Sequence, residues 1–393
     1  MDLPTDPRGG RAVTNVNVVG AGMIPFGRHR ESSHSGLGVP AVMAALGSAG
    51  IDRGEIDRVY CASSFGGLLT GQRVSRDLGM GGLPVVNVEN ACSGGATALH
   101  LATSAVAAGD VRIALVLGVD KLTQFGGGAI PLVEEDVEAA AGIVMPAVYA
   151  MRARRYMYER GARVEDLAQV AVKARRHGAL NPYAQVKTET TIDEVLSSRP
   201  IADPLTLLQC CPTGDGAAAV LVVSDDVRAA LPGPSMRVAA SVLHSGTLAT
   251  GFRDMLRPEI TMHSARDAFS QAEITSDDLD VVEMHDAFTV AELVYYEALG
   301  LCEGDEAVAF LQSGATSLGG KVVVNPGGGL LSRGHPVGAS GVAQVVETFW
   351  QLTGQAGQRQ VVDSHWAMTH VTGGGLAGLD HGSCCIHVFE GEG

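Results

Sequence analysis

Residues 45–59 read A-L-G-S-A-G-I-D-R-G-E-I-D-R-V, and residues 268–282 read A-F-S-Q-A-E-I-T-S-D-D-L-D-V-V. Each stretch has the pattern of a helix end, a short connection and a strand start. Ala45 and Ala268, Ala49 and Ala272, Ile51 and Ile274, the acidic Glu55 and Asp278, and the steps Asp57-x-Val59 and Asp280-x-Val282 fall in register. One supersecondary unit used twice in one chain predicts a duplicated α/β fold.

Looser echoes extend outward from this pair. Residues 15–22 (N-V-N-V-V-G-A-G) and 236–246 (M-R-V-A-A-S-V-L-H-S-G) each read as a strand and turn. Residues 84–89 (P-V-V-N-V-E) are a strand feeding a helix at Cys92, and residues 321–325 (K-V-V-V-N) a strand whose glycine-rich turn leads to a helix near Gly338. Residues 111–119 (V-R-I-A-L-V-L-G-V) read as a buried strand, with residues 384–389 as its counterpart. Strands that are apolar throughout need cover on both faces. The chain is therefore read as two α/β halves, residues 1–255 and 256–393, each on a mixed five-stranded sheet. A long insertion, residues 121–204, interrupts the first half and reads as helical across 147–177. Long insertions on a compact core are more often functional than decorative.

Composition agrees. Of 393 residues, 46% are hydrophobic, 5% are aromatic and 51 are glycine, which suits an α/β protein with tight turns and close helix contacts. The formal charge of −15 argues against a broad nucleic-acid surface. A local basic run (Arg152, Arg154, Arg155, Arg160, Arg163, then Lys173, Arg175 and Arg176) reads either as a patch for an anionic ligand or as a solvated helix face. Residues 1–11 are polar, carry Pro4 and Pro7, and read as a frayed tail rather than a signal peptide. No apolar run reaches the ~18 residues of a membrane span. Seven cysteines without zinc-ligand spacing predict free thiols in a reducing cytoplasm and no metal site.

Cys92 stands in N-V-E-N-A-C-S-G-G-A-T-A-L, where a strand ends and a small-residue helix begins. The positive end of a helix dipole and unpaired N–H groups favour a thiolate and can hold an oxyanion. His285 follows the strand L-D-V-V-E-M, at a strand end where α/β folds place ligands. His335 lies in N-P-G-G-G-L-L-S-R-G-H-P-V-G-A-S-G, whose glycines let backbone approach a ligand. The duplication brings Cys92 and His335 to the N-termini of two matching helices at one crevice. One imidazole can then take the thiol proton while the other holds an enolate or hydroxyl proton.

These residues resemble the thiolase superfamily, in particular the sterol-carrier-protein-x type thiolases and their bacterial thiolase-like relatives. The matching motifs are N-V-E-N-A-C-S-G at 87–94, N-P-Y-A at 181–184, D-P-L-T-L-L-Q-C-C-P at 203–212, D-G-A-A-A at 215–219, H-D-A-F at 285–288, G-H-P-V-G-A-S-G at 334–341 and T-G-G-G at 372–375. They run in family order across nearly the whole chain. The resemblance implies a five-layered α-β-α-β-α core, an inserted loop domain over coenzyme A, and a homodimer or homotetramer. It implies an acyltransferase that forms an acyl-Cys92 thioester from acyl-CoA and passes the acyl group to coenzyme A or a carbon acceptor. His335 resembles the activating histidine and His285 the oxyanion-site histidine of this branch, and the N–H groups of Cys92 and Gly373 are expected to form the second oxyanion hole. Coenzyme A enters as a substrate thioester, with no tightly bound cofactor.

The chain also departs from the pattern. Commoner thiolases carry a second cysteine as acid and base where Val371 stands, and the sterol-carrier branch carries it where Ala287 stands; neither thiol is present. Cys384 and Cys385 follow an extra G-L-D-H stretch and are not expected to replace it. Some relatives work with a separately encoded OB-fold and zinc-ribbon partner, and the retro-aldolases among them lack the nucleophile and both histidines. Two alternatives stay open: a ketoacyl- or hydroxymethylglutaryl-synthase-like condensing enzyme, for which Glu89 and Glu283 are the carboxylates to examine, and a non-catalytic acyl-CoA-binding subunit.

Overall fold

A computed structural model describes residues 14–126, 128, 130, 135–248, 253–375 and 381–392. The polar tail at 1–11 and residues 378–380 of the extra G-L-D-H stretch lie outside the described residues.

Both copies of the duplicated stretch fold alike. The first ends the helix His34–Ala49 at Gly50, whose φ of 68° lets its N–H cap Leu46 O. The second ends the helix Glu259–Ala272 at Glu273, with φ 57° and its N–H on Phe269 O. Left-handed backbone is easy for glycine and strained for glutamate, yet the copies share it. A single 3-10 turn follows each helix, Arg53–Glu55 and Ser276–Asp278, entered through capping boxes at Asp52 and Thr275. The next aspartates also match in task. Asp57 Oδ2 accepts the N–H groups of Arg112 and Ile113 at 2.7 and 2.9 Å. Asp280 Oδ2 accepts those of His365 and Trp366 at 2.7 and 2.9 Å. Each carboxylate thereby tethers the start of the neighbouring strand.

The strands are β1 (Val16–Met23), β2 (Arg58–Ala62), β3 (Val85–Val88), β4 (Ile113–Lys121), β5 (Pro200–Ala202), β6 (Leu205–Thr206), β7 (Asp215–Ser224), β8 (Met236–Ser245), β9 (Val281–Glu283), β10 (Val323–Val324), β11 (Trp366–Gly373) and β12 (Ser383–Gly391). Ten of them form one run in the order β10-β9-β11-β12-β8-β1-β7-β4-β2-β3, and β5 pairs with β6. The run divides into two five-stranded mixed sheets of identical topology, joined, among the described residues, by the pairs Asn17↔Arg237 and Val18↔Met236 between β1 and β8. The second sheet thus starts with β8, ahead of the division expected at residue 255. β11, not the strand through 384–389, is the counterpart of β4, since each lies parallel to the strand led by the duplicated stretch. β12 matches β7, each running antiparallel to that neighbour. All four are buried along almost their whole length, so burial alone does not separate them.

Helices Gly94–Ala107 and Val337–Leu352 touch each other and strands of both halves. They form the middle layer, and all 16 residues of the latter are buried. The helix His34–Ala49 covers the outer face of the first sheet and Glu259–Ala272 that of the second. The order is α-β-α-β-α. The expected helix at 147–177 is two helices, Met145–Arg160 and Val164–Ala179, separated at Gly161 with φ 66°. The insertion docks on the second half through a buried Lys173–Glu292 ion pair of 2.7 Å.

The basic run is divided between the two readings: Arg152, Lys173 and Arg175 are buried, while Arg154, Arg163 and Arg176 are exposed. Arg154 pairs with Asp203 and Arg155 with Glu159, Arg160 reaches Glu297 at 3.1 Å, and Arg152 lies buried with its guanidinium 5.3 Å from the Tyr149 ring centre. Among the described residues no helix is long and apolar enough to cross a membrane.

Candidate active site

Cys92 is the middle residue of a 3-10 turn, Ala91–Ser93, that links β3 to the helix Gly94–Ala107. The turn is strained: Ala91 has φ 47°, costly for a residue with a Cβ. Glu89 Oε1 braces it by accepting the Ala91 N–H at 2.8 Å, and Ser93 Oγ donates back to Asn90 O at 2.8 Å.

His335 sits between helices Gly329–Arg333 and Val337–Leu352, and His285 just past β9. Both rings are buried, and they meet edge to face with centres 5.1 Å apart. One donor atom each of Cys92, His285 and His335 lies within 4.8 Å of the others. The three residues that the sequence singles out are therefore together.

The surrounding bonds assign the protons. Ser340 Oγ donates to Pro336 O at 3.0 Å, so its lone pair accepts Nδ1–H of His335 at 2.7 Å. That leaves His335 Nε2 unprotonated, 3.3 Å from Cys92 Sγ, as a proton acceptor. His285 Nδ1 bonds Thr372 Oγ1 at 3.1 Å, and Tyr295 OH bonds the same oxygen at 3.1 Å. His285 Nε2 is buried and has no protein partner. A buried polar atom without a partner costs free energy unless a ligand completes it.

Burial decides the charges. It pushes the Cys92 thiol up to about 12, against N–H bonds from Gly374 and from Cys92 itself that pull it down. Burial, with Arg333 adding to it, lowers His335 to about 3. His285 is held well below the usual histidine value by burial and then by His335. Both shifts favour a neutral thiol beside a neutral imidazole, and desolvation of the sulfur counts against the thiolate that the turn's N–H groups favour. The same three atoms would suit a soft divalent cation only after the thiol lost its proton.

Gly373 lies beside the Cys92 turn. It closes the β11–β12 ladder opposite Ser383, while Gly374, with φ 65°, turns its N–H to the sulfur. Gly373 must be glycine for another reason: a Cβ there would lie 2.6 Å from Asn90 O and 2.8 Å from Ser93 Oγ. The site also contains residues that sequence reading missed, namely Ser340, Thr372, Tyr295, Gly374 and Asp120. Asp120, at the end of β4, accepts Gly338 N–H at 2.6 Å, Phe65 N–H at 2.9 Å and Ser64 N–H at 3.0 Å. It fixes the N-terminus of the helix that follows His335 against the nucleophile half. A charge closing a buried apolar strand is the signal that marks it.

The carboxylates proposed for a synthase-like base are engaged elsewhere. Glu283 is fully buried, 2.8 Å from Arg333, and Glu89 is exposed and holds the Ala91 turn. Cys384 and Cys385 are buried on β12, with Cys385 Sγ 3.4 Å from His387.

The fold is that of a thiolase. The "Thiolase, N-terminal domain" model matches residues 16–226 and the "Thiolase C-terminal domain-like" model residues 242–380. The chain belongs to the thiolase family, a family of acyltransferases. It is 46% identical over 367 residues to the benzoylsuccinyl-CoA thiolase subunit BbsB of Thauera aromatica, covering 92% of this chain and 95% of that one. It is 36% identical over 385 residues to an acetyl-CoA acetyltransferase of Methanothermobacter thermautotrophicus, covering 96% and 99%. Among solved structures, an Ltp2-ChsH2(DUF35) aldolase superposes with a TM-score of 0.82 at 25% identity, covering 97% of this chain and 98% of that one. Human mitochondrial 3-ketoacyl-CoA thiolase, at 16% identity and a TM-score of 0.73 over 97% and 100%, shares the fold.

Proposed function

We propose that the protein takes an acyl group from an acyl-coenzyme A thioester onto Cys92 and passes it to coenzyme A or to a carbon acceptor. The observation that carries this reading is the 3.3 Å approach of Cys92 Sγ to an unprotonated His335 Nε2. As the sulfur attacks the thioester carbonyl, its proton moves to Nε2, and Ser340 holds the imidazolium through Nδ1–H. The N–H groups of Cys92 and Gly374 meet the oxygen that gains charge. His285, with Thr372 donating to Nδ1, presents Nε2–H to the carbonyl oxygen of the second acyl group.

The likeness to a benzoylsuccinyl-CoA thiolase subunit supports cleavage of a 3-oxoacyl-CoA by thiolysis, with Claisen-type condensation as its reverse. The engaged Glu283 and Glu89 count against the carboxylate-based synthase reading. Coenzyme A takes part as substrate, without a tightly bound cofactor. A cytoplasmic homodimer or homotetramer belongs to the reading. So does a small OB-fold and zinc-ribbon partner, which the word "subunit" in the name of one relative and the two-component aldolase complex support.

Intact-protein mass spectrometry after mixing with a panel of acyl-CoA thioesters tests the proposal. A gain of one acyl group in the wild type that disappears in Cys92→Ala is the expected outcome. If no thioester labels the chain, alone or with a co-purified partner, the non-catalytic reading replaces this one.

A further inference from the structure

Acyl transfer to or from carbon needs a proton at that carbon, and the groups at Cys92 leave it unassigned. His335 Nε2 is committed to the sulfur and its Nδ1 to Ser340. His285 serves an oxygen. We propose that Cys211 is the acid and base that handles the proton on the α-carbon of the leaving or attacking acyl-CoA. This rests on the acyl-Cys92 reading above.

The placement comes from strand pairing. Cys210 and Phe288 form an antiparallel bridge, and Cys211 N–H donates to Ala287 O at 2.9 Å. Cys211 and Ala287 are thus directly opposed, and opposed residues project to the same face. Pro212 favours the extended backbone this needs at Cys211. Ala287, two residues past His285, carries only a methyl group, so the thiol of this opposed pair belongs to Cys211. Cys211 is half-buried like Cys92, whereas Cys384 and Cys385 are fully buried. The two thiols are close enough for the charge of Cys92 to bear on Cys211. The neighbouring acid, Asp286, accepts Leu330 N–H through Oδ1 at 2.6 Å, and its Oδ2 is buried without a protein partner. The unpartnered Nε2 of His285 marks where the carbonyl oxygen next to that carbon would sit.

The protons balance. In cleavage, Cys92 Sγ bonds the 3-keto carbon and gives its proton to His335. The C2–C3 bond breaks, its electron pair goes to C2, and Cys211 S–H protonates C2. The shortened acyl-CoA leaves. Coenzyme A then gives its thiol proton to the Cys211 thiolate and attacks the acyl carbon. The acyl–Sγ bond breaks, and Cys92 recovers its proton from His335.

The test separates the two half-reactions. Acyl-Cys92 formation is followed by mass, and exchange of the C2 protons of the best-labelling acyl-CoA in deuterium oxide is followed by NMR. Wild type is compared with Cys211→Ala and with Cys211→Ala combined with Ala287→Cys, which returns a thiol from across the bridge. The expected result is at least a tenfold loss of exchange in Cys211→Ala, with acyl-Cys92 still formed, and recovery of exchange in the double variant. A smaller loss, an equal loss of both half-reactions, no recovery, or no exchange in wild type overturns the proposal. Failure of wild type to acylate at all would instead remove the function on which it rests.

Discussion

Cys92 and His335 both wait uncharged, and that makes the nucleophile unlike a pre-formed thiolate. With its thiol pushed up to about 12, Cys92 should react with iodoacetamide at a rate that keeps rising from pH 7 to 10, because the reactive thiolate fraction grows about tenfold per unit below the pKa. A plateau near pH 7, read by mass spectrometry of Cys92 alkylation, would show a thiolate–imidazolium pair instead. His335→Ala removes the acceptor and should slow acylation ~10²–10³-fold, about 2.7–4 kcal/mol of transition-state stabilisation. Ser340→Ala leaves the imidazole but frees its tautomer, because Ser340 holds Nδ1–H at 2.7 Å. A milder loss of up to about tenfold in the acylation rate follows from one lost hydrogen bond of ~0.5–1.5 kcal/mol. Stopped-flow release of coenzyme A measures both.

At the level of elements, the site depends on how closely two helices and a strand approach. A Cβ on Gly118 of β4 would fall on the carbonyl oxygen of Gly338 and lie 2.8 Å from the Ala339 Cα, and one on Gly95 would lie 2.8 Å from that same oxygen. Gly118→Ala must therefore push the helix Val337–Leu352 away, and His335 stands just before that helix. The expected cost is about 1–3 kcal/mol in unfolding free energy from overpacking, together with slower acylation although no catalytic group is altered. Denaturant unfolding and the acylation rate, measured on one preparation, check both parts. The same packing explains what the sequence made legible. Cys92, His285 and His335 lie in short motifs at strand ends, so local pattern reaches them, whereas Ser340, only five positions beyond His335, is marked as its partner by the bond to Nδ1 alone. Thr372, Tyr295 and Cys211 come from elements far apart in the chain and arrive only through strand order. The charge state of Cys92 was also out of reach, since spacing reveals a turn but not the desolvation that outweighs it.

On the scale of the whole molecule, duplication supplies two helix starts and the insertion locks them. His177, in the insertion helix Val164–Ala179, is fully buried in the second half. Its Nε2 accepts Leu318 N–H at 3.3 Å, so its Nδ1–H donates to Asn325 O at 3.0 Å. Asn325, held at φ 54°, in turn accepts Met284 N–H at 2.8 Å, one residue before His285. The insertion is thus wired to the residue preceding His285 through one neutral imidazole. Burial, reinforced by Lys173, lowers His177 from 6.5 to about 3. The sign follows: the unfolded chain binds a proton below pH 6.5 that the folded chain refuses until about pH 3. The contribution to stability is complete above 6.5 and is lost as pH falls through that window, at about 1.4 kcal/mol per unit. His177→Gln keeps a polar side chain there without the titration. Between pH 7 and pH 5 the wild type should therefore lose about 2 kcal/mol more unfolding free energy than the variant, measured by denaturant titration at both values. Equal losses in the two proteins would mean that His177 is already charged in the folded state, and the neutral link from the insertion to His285 would have to be abandoned.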